Sequence, residues 1–320
     1  MPARRRTSTA FVALALAAGF ASAIERPPRE RPIERLNRRL APVEAGEGLS
    51  YRVLTARGRH LPIEYSLYLP PAAVAKGAAL PILVVLPDEG SNARLLAPLS
   101  LGLGDGMRAG DLPPMVVVVP SAARGLYVDR PGGGGEGERF LASELLPEVR
   151  RATQCAGDPR RTLLVGTSIG GAGALRMAFR HPEEFGAVAA VAPAISPGYS
   201  LSEASPEIVE RIRLHHPALE SVFGGDPKAA DEAWKRANPA WLAHENAAAI
   251  RAAKLQIFLT VGTADDLGCY PGTKFLHQVL SELKIAHIYE ETPDARHDRE
   301  FKQPALERAI QTLAATLPAE

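Results

Sequence analysis

The chain has 320 residues, 46% of them hydrophobic and 23% charged, with a formal net charge of +1. That length and balance suit a soluble globular chain able to bury a sizeable core. They offer no electrostatic case for nucleic acid or an anionic membrane surface as the main partner.

The first residues carry an address. Arg4, Arg5 and Arg6 form a basic n-region, residues 11–20 (FVALALAAGF) an apolar h-region, and Ala21-Ser22-Ala23 a small-residue cleavage site. This reads as a secretory signal peptide, too short for a transmembrane helix, with cleavage near Ala23 and a secreted or periplasmic destination. No cysteine lies near the cleavage point, which argues against a lipoprotein. Losing a segment with three arginines and no acid leaves the rest close to neutral. Residues 24–48 are rich in Pro, Arg and Glu. They are expected to be a poorly ordered lead-in, with a short helix around Ile33 to Leu40.

From Leu49 onward one α/β domain is predicted, running to residue 320. Tyr51 to Thr55 and Leu61 to Leu69 alternate and carry β formers around a turn at residues 56–60, which predicts an antiparallel entry hairpin. Continuous apolar runs follow at Ile82 to Leu86, Met115 to Val119, Leu163 to Val165, Val188 to Val191 and Ile257 to Val261. Runs without alternation suit strands buried on both faces. Helical stretches lie between and after them, at Arg139 to Thr153, Ile169 to Arg180 and Thr273 to Leu283. Strand alternating with helix predicts a mostly parallel central sheet flanked by helices. Residues 132–135 (GGGG) read as a flexible loop. Residues 196–250 interrupt the alternation with helical, Pro-broken sequence, and a small cap over the sheet's carboxyl edge is expected there.

The most informative stretch is GTSIGG at residues 166–171, between the apolar run Thr162 to Val165 and the helical run that follows. Chemistry in an open parallel sheet gathers at the carboxyl ends of strands. A Gly166-x-Ser168-x-Gly170 pattern there describes a strand-to-helix turn too tight for side chains at its flanks, with the serine hydroxyl held up from the sheet. The following helix aims its N-terminus and the backbone N–H of Ile169 at the same spot, as an oxyanion donor.

Such a serine needs a base, and the base a carboxylate. The run Ile257 to Val261 leads into Gly262-Thr263-Ala264-Asp265-Asp266, where Asp265 and Asp266 compete for the role; the spacing from Gly262 favours Asp265. The base is expected at His297, after the short strand His287 to Glu290 and before a final helix. His277 and His287 fall within or beside regular elements and read as structural. His181 reads as a helix cap. His215 and His216 are adjacent but have no third ligand spaced to hold a metal, so neither metal nor other cofactor is expected.

With these residues in place, the chain resembles the esterase D-like group of α/β-hydrolases. That group includes S-formylglutathione hydrolases, feruloyl and acetylxylan esterases, siderophore esterases and antigen 85-type mycolyltransferases. The resemblance covers residues 50–318 and is best over 136–194, where EGERFLASELLPEVRRA and RRTLLVGTSIGGAGALRMAFRHPEEFGAVAAVAPAI match the helix and block around the serine. VFGGDP, NPAWL, VGTADD and RHDREF add to it. The resemblance implies Ser168, Asp265 and His297 as nucleophile, acid and base of a serine esterase working through an acyl-enzyme, on small-molecule or polysaccharide-linked esters. Acylated carbohydrates are plausible among its substrates. An acyltransferase of the same fold and a catalytically weak carbohydrate- or envelope-binding protein are its rivals.

One departure stands out. Group members usually carry His-Gly after the strand equivalent to Ile82 to Leu86, in the loop that supplies the second oxyanion donor. Here the loop reads Pro87-Asp88-Glu89-Gly90. The Glu89 backbone N–H can still serve, but two carboxylates beside a developing oxyanion oppose it unless they point away or bind something. Asp88 is thus either a binder of hydroxyl or cationic substrate groups or part of a solvated loop. Tyr127 stands either as a stacking platform for a sugar or aryl ring or as core. Trp241, with Trp234, either floors a cleft or anchors the cap. Cys155 and Cys269 fall at opposite edges of the sheet. A five-residue strand spans about 17 Å and a disulfide tolerates at most ~7 Å between Cα atoms, so no bond between them is expected.

Overall fold

The computed structural model describes residues 48–54, 63–71, 80–88, 102–121, 127–128, 137–155, 158–203, 205–207, 209–210 and 227–318. The leader at 1–23, all of the lead-in but Gly48, the turn at 56–60, the glycine run at 132–135, Glu89, His215 and His216 lie outside them.

Eight strands form one sheet: β1 (Leu49–Leu54), β2 (Ile63–Tyr68), β3 (Ile82–Leu86), β4 (Val116–Pro120), β5 (Thr162–Thr167), β6 (Ala187–Val191), β7 (Gln256–Gly262) and β8 (Ile288–Thr292). Their spatial order is β1-β2-β4-β3-β5-β6-β7-β8. β1 and β2 pair antiparallel, as do β2 and β4, and every later pairing is parallel. This is an α/β-hydrolase fold with an antiparallel N-terminal hairpin, as the alternation of runs implied. The central strands are buried on both faces. Val116, Val118, Leu164, Val188 and Ala190 enter one apolar cluster, while Val117, Val119, Leu163, Val165, Ala187 and Ala189 enter another.

The helices are α1 (Leu103–Ala109), α2 (Glu138–Phe140, a π turn at Leu141–Leu145, then Leu146–Thr153), α3 (Ile169–Arg180), α4 (Pro227–Ala237), α5 (Pro239–Glu245), α6 (Ala247–Ala253), α7 (Cys269–Glu282) and α8 (Arg299–Ala314). Helix α7 starts four residues before the predicted Thr273. Pro271 sits in its first turn, where a missing N–H breaks no intrahelical bond. Helix α8 starts on a conventional cap, with the Asp298 side chain accepting from the Phe301 amide at 3.0 Å.

The cap expected at 196–250 takes a different form where it is described. Ala240, Leu242, Ala243, Ala247 and Ile250 of α5 and α6 are buried in the same cluster as the inner face of α3. These helices therefore join the layer flanking the sheet. Helix α5 packs against α3 and α7, and α6 packs against α5 and the turn at Pro182–Glu184. Among the described residues no helix is long and apolar enough to cross a membrane.

Helix α3 is anchored by charge as well as by packing. Glu138 opens α2 with a side chain only 2% exposed, between Arg176 at 3.5 Å and Arg180. Arg176 also reaches the Ala237 carbonyl and Arg180 the Arg236 carbonyl, at the end of α4. A buried charge stripped of its partner is costly, about 3–5 kcal/mol. Glu138→Ala leaves Arg176 buried beside Arg180, which is partly exposed and screened. It is therefore expected to cost about 3 kcal/mol, read as a lower urea midpoint with an unchanged slope. A loss under about 1 kcal/mol would mean the pairing contributes little.

Candidate active site

Ser168 lies between β5 and α3 with φ 53° and ψ −119°, a conformation that side chains rarely adopt and that costs about 1–3 kcal/mol. It is pinned from both sides. Its amide donates to the Val191 carbonyl at 2.9 Å, and its carbonyl accepts from Ala172 and Ala194 at 3.0 Å each. The glycines are needed for space. A Cβ on Gly166 would stand 2.2 Å from the Gly170 carbonyl oxygen, and one on Gly170 would stand 2.1 Å from the Leu86 oxygen. Both distances are far inside contact. Ile169 is the first residue of α3, so its amide is one of those a helix leaves without an internal partner.

The sheet register brings the other two residues to the same edge. Thr167 pairs with Val191, Val191 with Thr260, and Gly262 with Thr292. The loops after β7 and β8 then fold against each other through Gly262, where a Cβ would meet the Ala295 oxygen at 2.2 Å. The Asp294 amide donates to Thr263 Oγ1 at 2.9 Å and the Ala264 amide to the Ala295 carbonyl at 3.1 Å. These bonds carry Asp265 to His297: Nδ1 and Oδ2 are 2.7 Å apart, with side chains 2% and 0% exposed. Asp265 Oδ1 accepts from the amides of Leu267 and Cys269, each at 3.0 Å. Both oxygens of the buried carboxylate are thereby occupied. His297 Nε2 is buried and makes no hydrogen bond. With Nδ1 committed to the carboxylate, that nitrogen is left open as an acceptor.

The competing acid is committed elsewhere. Asp266 takes Arg296 at 2.9 Å and the His297 backbone amide at 3.3 Å. Those bonds, that to Arg296 first, hold its carboxyl down to about 2. It braces the histidine's backbone and does not touch its ring.

Tyr127 is 1% exposed. Its ring lies over Gly173, where a Cβ would come within 2.8 Å, and its hydroxyl donates to the Pro87 carbonyl at 3.1 Å. Of the two expectations for this residue, the geometry matches core packing. Asp88 bonds Lys302 Nζ at 2.7 Å. Trp241 packs edge-on to Tyr199 and stacks on His244, with the Lys235 ammonium 4.0 Å over its ring. Trp234 donates to Ser196 Oγ at 3.0 Å. His277 and His287 bond each other at 2.8 Å, beside α7 and β8. His181 closes α3.

Sequence reasoning did not place Cys269 or Lys302 beside the site residues. Cys269 is buried and free, as is Cys155. Burial pushes its thiol well up, with Asp265 and Asp88 adding to that and Lys302 opposing it. Among the described residues, Asp265, Cys269 and His297 have ligand atoms within 4.8 Å of one another and could hold a metal ion. A metal there would displace the Asp265–His297 bond and a firmly held thiol proton.

The model of the Esterase family, described as "Putative esterase", matches residues 61–307. The chain belongs to that family. A ferulic acid esterase structure superposes with a TM-score of 0.65 at 19% identity, over 84% of this chain and 98% of that one. An S-formylglutathione hydrolase from Agrobacterium tumefaciens gives 0.65 at 19%, over 84% and 95%. MPT51 of Mycobacterium tuberculosis gives 0.65 at 15%, over 84% and 99%. A search of curated proteins finds no match.

Asp265 and Asp266 are separable by substitution. Asp265→Asn is expected to lower p-nitrophenyl acetate turnover by about 10³–10⁴-fold, since the imidazole loses its orienting charge. Asp266→Asn is expected to cost under about tenfold. Equal losses in steady-state assays would mean the two carboxylates share the role.

Proposed function

We propose that this esterase-family chain is a serine carboxylic ester hydrolase with Ser168, His297 and Asp265 as its triad. The observation that carries the reading is the buried Asp265–His297 bond, with Nε2 left open, at the sheet edge where Ser168 sits in its strained turn. A proton on Nδ1, shared across the 2.7 Å pair, leaves Nε2 as the acceptor.

His297 Nε2 takes the Ser168 proton as Oγ attacks the acyl carbon. The carbonyl oxygen becomes an oxyanion, held by the Ile169 amide and by a second amide in the loop after β3, for which Glu89 is the candidate. Asp265 stabilises the imidazolium. The imidazolium returns its proton to the departing alkoxide oxygen, the ester C–O bond breaks, and an acyl-Ser168 remains. A water deprotonated by Nε2 then attacks the same carbon. The imidazolium returns that proton to Ser168 Oγ as the Ser168 ester bond breaks, and a carboxylic acid leaves. No step calls for a cofactor.

The exported address favours an extracellular or periplasmic ester, and the likeness to a ferulic acid esterase favours acylated carbohydrate as the class to try first. Acyl transfer to a sugar hydroxyl uses the same acyl-enzyme and is read out by the same substrates with an added acceptor. The binding-protein alternative had only the acidic loop in its favour, and Lys302 answers the charge of Asp88.

A fluorophosphonate probe is expected to label the protein at Ser168, mapped by mass spectrometry. p-Nitrophenyl acetate and butyrate should turn over, and Ser168→Ala should remove both signals, with turnover falling by roughly 10⁴-fold or more. Folded protein that neither labels nor turns over would overturn the enzyme reading. The full chain expressed in a bacterium should yield exported protein beginning at Ile24. An N-terminus that keeps the apolar run at 11–20 would rule out cleavage near Ala23.

A further inference from the structure

Cys269 is a nucleophilic group that the esterase reaction does not use, yet it is built into the site. It is the first residue of α7, and its amide donates to Asp265 Oδ1 at 3.0 Å. Its thiol is free. A carboxylate oxygen of Asp265, a ring nitrogen of His297 and the Cys269 sulfur all lie within 4.8 Å of one another, and all three residues are buried.

The donor set is one sulfur, one imidazole nitrogen and one carboxylate oxygen. That mixture suits Zn2+ and the softer Cd2+, and Zn2+ takes such ligands at about 2.0–2.3 Å. It does not suit Mg2+ or Ca2+, which demand about six or more ligands, nearly all oxygens. Two ligands of one tetrahedral Zn2+ stand about 3.4–3.7 Å apart. His297 Nδ1 and Asp265 Oδ2, now at 2.7 Å, therefore part by about 1 Å or less to admit the ion. Asp265 Oδ1 meanwhile keeps the Leu267 and Cys269 amides, each at 3.0 Å, so the loop and the start of α7 stay in place.

Charge decides whether a dry site accepts a dication. Asp265 supplies one negative charge, a Cys269 thiolate a second and a neutral imidazole none, so the loaded site is neutral and escapes the cost of an unpaired buried charge. Asp88 and Lys302, which also act on the thiol, bond each other and add no net charge. Burial above all keeps the thiol protonated, and coordination to a metal ion removes that proton outright.

We propose that Cys269 turns the Asp265–His297 pair into an inhibitory site for Zn2+ or Cd2+, with Cys269 Sγ, an Asp265 oxygen and His297 Nδ1 as ligands. The Cys269 S–H bond breaks, a metal–sulfur bond forms, and the proton goes to solvent. The imidazole proton passes from Nδ1 to Nε2, so the ring stays neutral and nothing is oxidised or reduced. Nε2 then has no lone pair for the Ser168 proton, and turnover stops until the metal is withdrawn. The inhibition rests on the esterase reading above; the binding does not.

The test compares the full mature chain with C269A, C269S and C155A, each referred to its own metal-free rate on p-nitrophenyl butyrate, with thermal melts and Cd2+ absorbance titrations alongside. Zn2+ and Cd2+ are expected to inhibit the parent and C155A at micromolar concentration, one ion per chain, with recovery on adding EDTA. Millimolar Mg2+ and Ca2+ should leave turnover unchanged. C269A and C269S should raise the inhibition constant by about 100-fold or more, since only two ligands remain. The chain has two cysteines, so C155A keeps Cys269 as its one thiol; Cd2+ should bring up the ultraviolet charge-transfer band of a cadmium–thiolate bond there and none at that site in C269A. An active parent indifferent to millimolar Zn2+ overturns the proposal. So does C269A inhibited at the parent's constant, which puts the ion elsewhere, or C155A inhibited without the thiolate band. Where neither Cys269 variant folds, the band and its stoichiometry in C155A decide alone. A folded parent that neither labels at Ser168 nor turns over, with the band present in C155A, defeats the esterase reading and leaves the metal site standing.

Discussion

Everything at this site depends on how closely the backbone passes itself at the start of α3. Three strands of main chain converge there: the end of β5, the first turn of α3 and the Leu86–Pro87 segment after β3. The margins at Gly166 and Gly170 exclude even a methyl group. This crowding forces Ser168 into its φ 53° geometry, and the strain survives because the surroundings over-determine it. Val191 accepts from its amide, and the next loop donates back to its carbonyl through Ala194. Ala192, at φ 44°, bends in the same region and is tied by its amide to Thr260. The serine is thus held by β6 and, through β6, by β7.

The same cross-bracing fixes the rest of the constellation. The bond from Ala192 to Thr260 fastens β6 to β7 just before β7 releases the loop containing Asp265. That loop and the one after β8 share Gly262, Thr263, Ala264 and Asp294 contacts. His297 is therefore located by backbone bonds before its ring makes any. Positioning of this kind matters for rate, because a displacement of about 1 Å at a reacting group can cost about a hundredfold.

How much of this the sequence disclosed divides along a physical line. Local signals were legible. Continuous apolar runs marked the strands, and the Gly-x-Ser-x-Gly stretch marked the turn, because each depends on neighbours in the chain. The parallel pairing of the later strands followed from alternation of strand and helix. The two aspartates at 265 and 266 were harder. Their side chains diverge from adjacent positions, and only the partner each meets, His297 or Arg296, distinguishes them. Tyr127 read equally well as a platform or as core, since aromatic residues serve both ends; the open surface above Gly173 is what draws it inside. Lys302 was illegible. Nothing local distinguishes a lysine in the first turns of a charged helix from a solvated one, and its partner lies in a loop before most of the sheet. The flanking place of α5 and α6 was hidden for a similar reason, as a Pro-broken helical stretch looks the same whether it caps an edge or lines a face.

The charges around the site follow one rule. Asp265 is met by His297 and two amides, Asp266 by Arg296 and an amide, and Asp88 by Lys302. Each carboxylate named here is spoken for before any substrate arrives. Had one been left open near Nε2, it would have competed for the imidazole's second face or drawn water and cations into the site. With the acids committed, His297 presents one nitrogen bound to a carboxylate and one bound to nothing. That asymmetry leaves Nε2 as the ring's open acceptor. It exists because pairings far apart in the chain keep the negative charges around the ring occupied.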